Sequence, residues 1–279
     1  MSQIKLSFLG VSLFISASLF SQTKIAVTKG QKFNVEVSSK SNSLADMMGQ
    51  QMESITNNDN TTQYLVNDVF ADSIQLQSTI TKLKSYSSFM GQEMNYDSEK
   101  NDNKGEMADM LGAAVNKPQN LIIDANGKII RQAAVEDVAS GLGALANAGN
   151  ADAIDLFSPA LIGKQLAAGD SISFKSESKS AKGLTVDTGT YHITAIENGL
   201  ANISYTGSRI ISNTIEMMGI EMQVSGNNAV KTELQMDINT GLVLVKATVI
   251  DLNLSVDAMG NLIPVTGKVV TTVKVTPQP

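Results

Sequence analysis

Residues 242–275, LVLVKATVIDLNLSVDAMGNLIPVTGKVVTTVKV, decide the fold class. Two long runs, 242–256 and 262–275, are rich in Val, Ile, Thr and Leu and alternate between apolar and polar side chains, as strands with one buried face do. The runs are separated by Met259, Gly260 and Asn261, which provide a turn. The stretch therefore predicts a pair of long antiparallel strands, and the chain as a whole is expected to be mainly β.

A Met-Gly-x-x-Met segment occurs three times, at residues 48–52, 90–94 and 218–222. The last two copies lie in matching places within a weak two-fold repeat. Each follows a Gly-polar turn (Gly30, Gly169), a strand with a leading Tyr (Tyr64, Tyr191) and a second alternating strand. Each precedes an Asp-x-Asn turn, at residues 124–126 and 237–239. The preserved order predicts an internal duplication with extra residues in the first copy.

Short amphipathic helices are expected as insertions in the first repeat. Ser43 resembles the start of a capping box, and apolar residues then recur at helical spacing, which predicts a helix over about 43–56. A second helix is predicted over about 105–116, with Met107, Met110 and Leu111 on one face. A further helical segment is expected to join the two repeats, with a last short helix starting at Ser158.

The predicted fold is mainly β (α+β), with two similar antiparallel β units. The units either pack face to face as a sandwich or form one continuous, curved, half-barrel-like sheet, and the helices decorate the first unit. The predicted organisation is a signal peptide (1–22), a first β repeat (23–133), a helical linker (134–168) and a second β repeat (169–279).

The N-terminus has the pattern of a secretory signal peptide. Lys5 provides the positive charge, and residues 6–20 are mostly apolar but short for a comfortable transmembrane helix. No later segment is long and apolar enough to span a membrane, so the mature chain is expected to have no transmembrane segment. We expect an exported protein, periplasmic or extracellular. The chain contains no cysteine, and its formal net charge of -6 disfavours nucleic acid as a partner.

Motifs with possible chemistry have more ordinary interpretations. Paired thioethers can bind Cu(I), but methionine is also a common filler of core gaps. His192 is expected to face solvent or to make a structural hydrogen bond, on the face opposite Tyr191 and Ile193. Asp124 is expected to cap its own turn rather than to bind calcium. We therefore predict no catalytic residue, no metal site and no cofactor.

Several short segments carry a resemblance to a known family. They are residues 29–33, 96–98, 123–127, 156–159 and 169–171. In this order they resemble a family of uncharacterised secreted proteins common in Bacteroidota-type bacteria. The resemblance implies an exported envelope protein with a duplicated β domain, and the family has no assigned activity to transfer.

Two functions follow as hypotheses. The first is a non-enzymatic protein that binds a lipid or another hydrophobic small molecule beneath its helical insertions. The residues expected to line that site are Leu44, Met47, Met48, Met52, Met107, Met110 and Leu111. The alternative is a structural or protein-interaction module of the cell envelope without a small-molecule site. An enzyme is disfavoured, because one histidine and no cysteine remove the usual nucleophile and metal sets.

Overall fold

The computed structural model describes residues 22–47, 49–89, 91–100, 106–132, 154–180, 183–217, 220–258 and 260–278. In these ranges the chain forms one antiparallel sheet of twelve strands, which is not closed. The predicted antiparallel β class is confirmed. The sandwich alternative is wrong, because the strands of both predicted units belong to the same sheet.

The strands are long, up to 20 residues, and apolar and polar side chains alternate along parts of them, as in residues 33–37. In chain order they are β1 (Lys32–Met47), β2 (Gln50–Val69), β3 (Ser73–Phe89), β4 (Gln92–Asp97), β5 (Gln119–Asp124), β6 (Ile129–Gln132), β7 (Ser171–Ser180), β8 (Gly183–Glu197), β9 (Leu200–Met217), β10 (Ile220–Asp237), β11 (Val243–Ala258) and β12 (Asn261–Gln278). A single helix, α1 (Glu106–Ala114), lies between β4 and β5 in the described part of the chain.

The sheet order is β6-β5-β3-β2-β1-β12-β11-β10-β9-β8-β7, and β4 pairs with β3 beside β5. The ladder between β1 and β12 joins the first and last strands of the chain at the centre of the sheet. The two outer edges are therefore the short strands β4 to β6 on one side and β7 on the other.

The four Met-Gly dipeptides of the chain each fall between the two strands of a hairpin. They lie between the paired residues Met47 and Gln50, Phe89 and Gln92, Met217 and Ile220, and Ala258 and Asn261. Gly49, Gly91 and Gly260 have positive φ, which explains the glycine at the second turn position. Strand directions bring these turns and the β7–β8 turn to one end of the sheet, called here the Met-Gly end.

The helix predicted over 43–56 is wrong. Leu44 pairs with Glu53 across the β1–β2 hairpin, and the chain reverses after Met47. The helical spacing was a coincidence of two alternating strands interrupted by a turn. The chain does form a helix within 105–116, namely α1, but nine helical residues do not make the predicted set of covering helices.

The predicted linker of 134–168 is only partly described. Residues 133–153 lie outside the described residues, and residues 154–168 are turns and irregular backbone rather than helix. After Ser158 only one helical turn forms, in which the Leu161 and Ile162 N–H groups donate to the Ser158 carbonyl. The predicted signal peptide also lies outside the described residues, except for Gln22.

One face of the sheet, called the inner face, carries three clusters of buried apolar side chains. The first, around Phe33, packs β1 to β3, β5 and β12 against Ile154, Leu156 and Phe157. The second lies on β9 to β12. The third packs β8 to β11 against Leu161 and Leu166.

Residues 154–166 form a strap across the inner face, opposite the Met-Gly end. The Val243 N–H donates to the Leu156 carbonyl at 2.9 Å, and Phe157 forms a β-bridge with Leu242. Lys246 pairs with Asp155 through its ammonium group. The N-terminal segment joins the strap, because the Thr23 N–H donates to the Lys164 carbonyl at 2.9 Å. This end of the inner face is therefore closed by chain from two separate segments.

The extra residues of the first predicted repeat have a structural location. β4 and β5 both pair with β3, one beyond the other, whereas the single strand β10 pairs along the whole of β9. Residues 98–118, which include α1, therefore interrupt a strand that is continuous in the second half. The duplication itself stays a prediction.

Candidate functional site

The most unusual side chains of the inner face form a polar row across three neighbouring strands. Arg209 of β9 is the cross-strand partner of Asp187 on β8 and of Asn228 on β10. Tyr205, four residues before Arg209, points to the same face because side chains alternate along a strand. We define the polar row as Asp187, Arg209, Asn228 and Tyr205. It adjoins the second apolar cluster, of which Tyr205 is a member.

Asp187 and Arg209 form a two-pronged ion pair. Arg209 Nε lies 2.7 Å from Asp187 Oδ1, and Nη2 lies 3.2 Å from Oδ2. The side chains are only 11% and 16% exposed. Such a fork geometry is the strong form of the interaction, and it compensates two charges that the apolar face would otherwise reject. The pair therefore contributes a strong local dipole with no net charge.

The ring of Tyr205 is in close contact with a pair of glycines. Gly189 and Gly207 are cross-strand partners, and a Cβ on Gly207 would come within 2.4 Å of the Tyr205 hydroxyl oxygen. Burial, followed by the charge of Asp187, raises the pKa of Tyr205, so the hydroxyl stays protonated at neutral pH. This buried hydroxyl has no hydrogen-bond partner among the described residues.

Asn228 presents a second buried donor. Its side-chain oxygen accepts a hydrogen bond from the Asn253 N–H at 2.9 Å, and the residue is 1% exposed. In the described structure its Nδ2 amide has no partner. Buried polar groups almost always have one, and leaving one unpaired costs about 1–3 kcal/mol. Asn228 is the cross-strand neighbour of Arg209 and Tyr205 lies four residues before it, so two buried donors of the polar row have no acceptor among the described residues.

Aromatic rings border the row on the β7 side. The rings of Tyr191 and Tyr205 lie 4.7 Å apart, and Phe174 meets Tyr191 edge-on at 5.6 Å. Tyr191 differs from Tyr205 in that its hydroxyl is hydrogen-bonded to Ser158 of the strap. Burial, then the neighbouring Tyr205, raises the pKa of Tyr191 to about 12. The Tyr191 hydroxyl therefore has a hydrogen-bond partner, whereas the neighbouring Tyr205 hydroxyl has none among the described residues.

Of the site residues predicted from sequence, Leu44, Met52 and Leu111 have described side chains, and none of the three belongs to the polar row. Leu44 is 40% exposed and points to the outer face, whereas Met52 is half-buried on the inner face. Leu111 lies on α1, which follows β4 and leads to a bridge between Val115 and Ile80 of β3. The side chains of Met47, Met107 and Met110, and the whole of Met48, lie outside the described residues. The predicted site as a whole therefore stays a prediction, although Leu44 and Met52 lie on opposite faces of the sheet.

Met52 does line a groove at the Met-Gly end. The groove is shallow and open, with a volume of about 470 Å³, and it is bordered by Gln50, Gln51, Met52, Glu53, Ile55, Ser88 and Gly91. It exists because β2 extends beyond the end of β3, whose last pair is Phe89 with Ser54.

The second methionine of each Met-Gly-x-x-Met segment lies on the inner face of the sheet, where Met222 is buried and Met94 is exposed. Met52, Met94 and Met222 are each the third residue of the returning strand, on β2, β4 and β10. The sheet holds these three strands apart, so they do not assemble a shared thioether site. Across the described ranges, no cluster of three or more His, Cys, Asp or Glu is placed to hold a metal ion.

Two minor expectations are confirmed. His192 is exposed, and its Nδ1 is hydrogen-bonded to the Ser171 hydroxyl at 2.8 Å. Asp124 caps its own turn, because its Oδ1 accepts hydrogen bonds from the Asn126 and Lys128 N–H groups, each at 2.9 Å.

Comparisons with known proteins give one family match. A family model described as "Family of unknown function (DUF6263)" matches residues 71–155, which run from the turn before β3 to the beginning of the strap. This part of the chain thus carries a domain of unknown function, which agrees with the expected resemblance to an uncharacterised family. No curated protein matches the chain.

Solved structures show distant likenesses only. Lipovitellin, from a structure titled for its lipid–protein interactions, is 10% identical with a TM-score of 0.48; the match covers 91% of this chain and 26% of that chain. DynF from the dynemicin biosynthesis pathway of Micromonospora chersina is 6% identical, with a TM-score of 0.26 and coverage of 98% and 92%. An outer membrane channel from Pseudomonas putida F1 is 7% identical, with a TM-score of 0.26 and coverage of 94% and 100%. This chain spans about a quarter of the lipovitellin chain. Likenesses this distant carry no function over to this protein.

Within the described ranges, no helix has the length and apolar character needed to cross a membrane.

Proposed function

We propose that this chain is an exported, non-enzymatic binding protein that holds an apolar molecule on the inner face of its sheet. The observation that carries the proposal is the pair of vacant buried donors, the Tyr205 hydroxyl and the Asn228 amide. Ligand sites are mostly apolar with a few convergent polar groups that fix orientation. The second apolar cluster and the polar row together have this composition.

The chemistry of the row favours a ligand with a neutral acceptor, such as an ester, amide or ketone carbonyl. Two donors are available, and Asp187 already compensates the charge of Arg209. A free carboxylate would have to displace Asp187 or remain without a full counter-charge beside apolar side chains, which is costly. The apolar part of the ligand would lie along the second cluster, toward Val224 and Leu254.

The ends of the sheet give the ligand a direction of entry. The strap and the N-terminal segment occupy the inner face at one end, whereas the described chain at the Met-Gly end consists of hairpin ends. We therefore propose entry from the Met-Gly end, past the groove at Met52. This location replaces the one expected beneath a helix over 43–56, which does not exist.

A hydrolase is the competing function, and its best support is the Ser171–His192 hydrogen bond. That pair lies on exposed positions of β7 and β8, and no described carboxylate is hydrogen-bonded to the other ring nitrogen of His192. A nucleophile–base pair normally has such a third, orienting group and a site that excludes water. We therefore propose a surface hydrogen bond rather than a catalytic dyad.

Native mass spectrometry of the protein purified from its own envelope fraction tests the proposal. We expect a co-purifying apolar molecule at about one per chain, recoverable by organic extraction, on a protein mass that lacks the leader. The variant Tyr205→Phe should lose a large part of this molecule, because it removes one of the two donors and leaves the apolar surface and the Asn253–Asn228 hydrogen bond intact.

Tyr191→Phe is the matched control, since it deletes a neighbouring hydroxyl that is bonded to Ser158. It should retain the bound molecule. An apo mass for the wild type, together with an ordered water on both donors in a crystal structure, would overturn the proposal.

A further inference from the structure

The two edges of the sheet differ in a way that the proposed ligand site does not explain. One edge is built from three strands of four to six residues, β4, β5 and β6. The other edge is β7, a single strand of ten residues whose pairing with β8 has no register shift. No described strand pairs with the outer side of β7. Exposed edges of this length are normally blunted, because they are templates for pairing with another chain.

The usual protections are weak on β7. Its sequence, SISFKSESKS, contains no proline, and the strand has no bulge. Lysine on an edge does discourage pairing, and Lys175 and Lys179 point to the outer face. However, Glu177 stands between them on the same face, so the charges alternate along the strand. Alternating charges become attractive when two copies of such a strand run antiparallel in a register that sets Lys opposite Glu.

We propose that β7 is the interface of a symmetric dimer, in which it pairs antiparallel with β7 of a second copy about an axis at Ser176. In this register Lys175 lies opposite the partner's Glu177, and symmetry repeats that pair. Phe174 lies opposite the partner's Ser178 on the inner face. The ladder spans residues 173–179 in each copy and joins two sheets edge to edge, which is a known mode of β-strand recognition.

Charge complementarity favours a second copy in this register over a head-to-tail arrangement. Pairing β7 with β4 of another copy would place Lys175 and Lys179 near Asp97 and Glu93. Asp97 is already paired with Lys84 at 3.4 Å, and Glu93 accepts a hydrogen bond from the Tyr86 hydroxyl at 3.3 Å. A head-to-tail contact also produces open-ended chains, whereas a two-fold contact closes.

A single engineered cysteine tests both the interface and its register, because the native chain has no cysteine. Ser176→Cys places two thiols across the proposed axis, with Cα atoms about 4.5–5.5 Å apart, within disulfide reach. Mild oxidation should convert most of this variant to a covalent dimer.

Ser178→Cys is the control on the same face of the same strand. In the proposed register its two copies are offset by four residues, about 13 Å, and cannot join. The proposal would be overturned if neither Ser176→Cys nor Ser178→Cys forms a covalent dimer, or if only Ser178→Cys does.

Charge-reversal variants test the same interface independently, with the affinity of the dimer measured by sedimentation velocity. Glu177→Lys places lysines opposite one another and should weaken the dimer at least tenfold, whereas Lys175→Glu/Glu177→Lys restores opposite charges and should recover it. Equal association of both variants would contradict the assigned charge pairs.

Discussion

Two regions of the inner face near the Met-Gly end have the same backbone arrangement but opposite chemistry. The apolar quadrant, on β9 to β12, carries the second cluster, with residues such as Val224 and Leu254. The polar quadrant, on β1 to β3, presents short hydroxyl and amide side chains, namely Ser39, Ser41, Ser43, Ser54, Thr56, Asn58, Ser85 and Ser87.

Alternation with a period of two residues therefore shows which side chains share a face of the sheet, but it does not show whether that face forms an apolar core. In the polar quadrant both faces are polar, and cohesion comes from the strand ladder and from side-chain bonds such as Ser85 to Asn58 at 2.7 Å. In the apolar quadrant cohesion comes from buried apolar area, which contributes about 25 cal/mol per Å². Stability and ligand affinity should therefore be concentrated in the apolar quadrant.

Truncation of a core residue should give the largest contrast between the quadrants. Leu254 is buried on β11, and Leu254→Ala should lower the free energy of unfolding by about 2–5 kcal/mol through lost burial and a cavity. Ser41→Ala in the polar quadrant should change it by less than about 0.5 kcal/mol. Urea titrations followed by circular dichroism measure both free energies of unfolding, and similar losses in the two variants would contradict the proposed difference between the quadrants.

The next largest difference should lie between a buried and an exposed ion pair, in what each contributes to the free energy of unfolding. Arg209→Met leaves Asp187 nearly buried without its partner and should cost about 1.5–3 kcal/mol of unfolding free energy. Lys268→Met removes a 3.6 Å pair with Asp251 whose side chains are more than half exposed, and should cost less than about 0.5 kcal/mol. The same titrations compare them, and equal effects would mean that the row is solvated.

Alkaline pH should destabilise the wild type through its buried tyrosines. The pKa of Tyr191 is about 12 in the folded chain and near 10 when unfolded, so its neutral form is favoured by folding. Its contribution is complete below pH 10 and is lost as pH rises to 12, on the order of 2 kcal/mol. Unfolding free energies measured from pH 9 to 12 should fall less steeply in Tyr191→Phe. Parallel curves would indicate that Tyr191 is solvated.

Loss of a buried hydroxyl in the polar quadrant should have a smaller effect than loss of the Leu254 side chain or of the Arg209 charge. Ser39 is buried, and its hydroxyl is hydrogen-bonded to Thr271 at 3.1 Å. Ser39→Ala should cost about 1 kcal/mol, because Thr271 loses a partner. Thermal unfolding against Ser41→Ala as reference would detect this, and no difference would mean that water replaces the bond.

Much of the fold was accessible from the sequence, because alternation and turns act locally. The long runs of 242–275 are β11 and β12, and Asn198-Gly199 is a hairpin turn with positive φ at both residues. The wrong prediction at 43–56 has a physical cause: the chain reverses between Met47 and Gln50, and the residues on either side fit helical spacing only if that reversal is ignored. At 259–260 the same dipeptide is predicted as a turn, because two long alternating runs flank it.

The polar row could not have been predicted in the same way. Asp187, Arg209 and Asn228 lie on three strands, and only the register of the sheet makes them neighbours. Their alternation is ordinary, and the only local signal is the pair of glycines inside strands, Gly189 and Gly207, which often mark a close approach. Vacant donors are a property of three-dimensional packing.

We propose that the Tyr205 hydroxyl has no hydrogen-bond acceptor until a ligand binds, and two variants that each delete a single hydroxyl test this. In ligand-free protein at neutral pH, Tyr191→Phe should lower the free energy of unfolding by about 1 kcal/mol, because it removes a bonded hydroxyl. Tyr205→Phe should leave that free energy unchanged or raise it, because it removes a buried group without a partner. A loss for Tyr205→Phe equal to that for Tyr191→Phe would contradict the account.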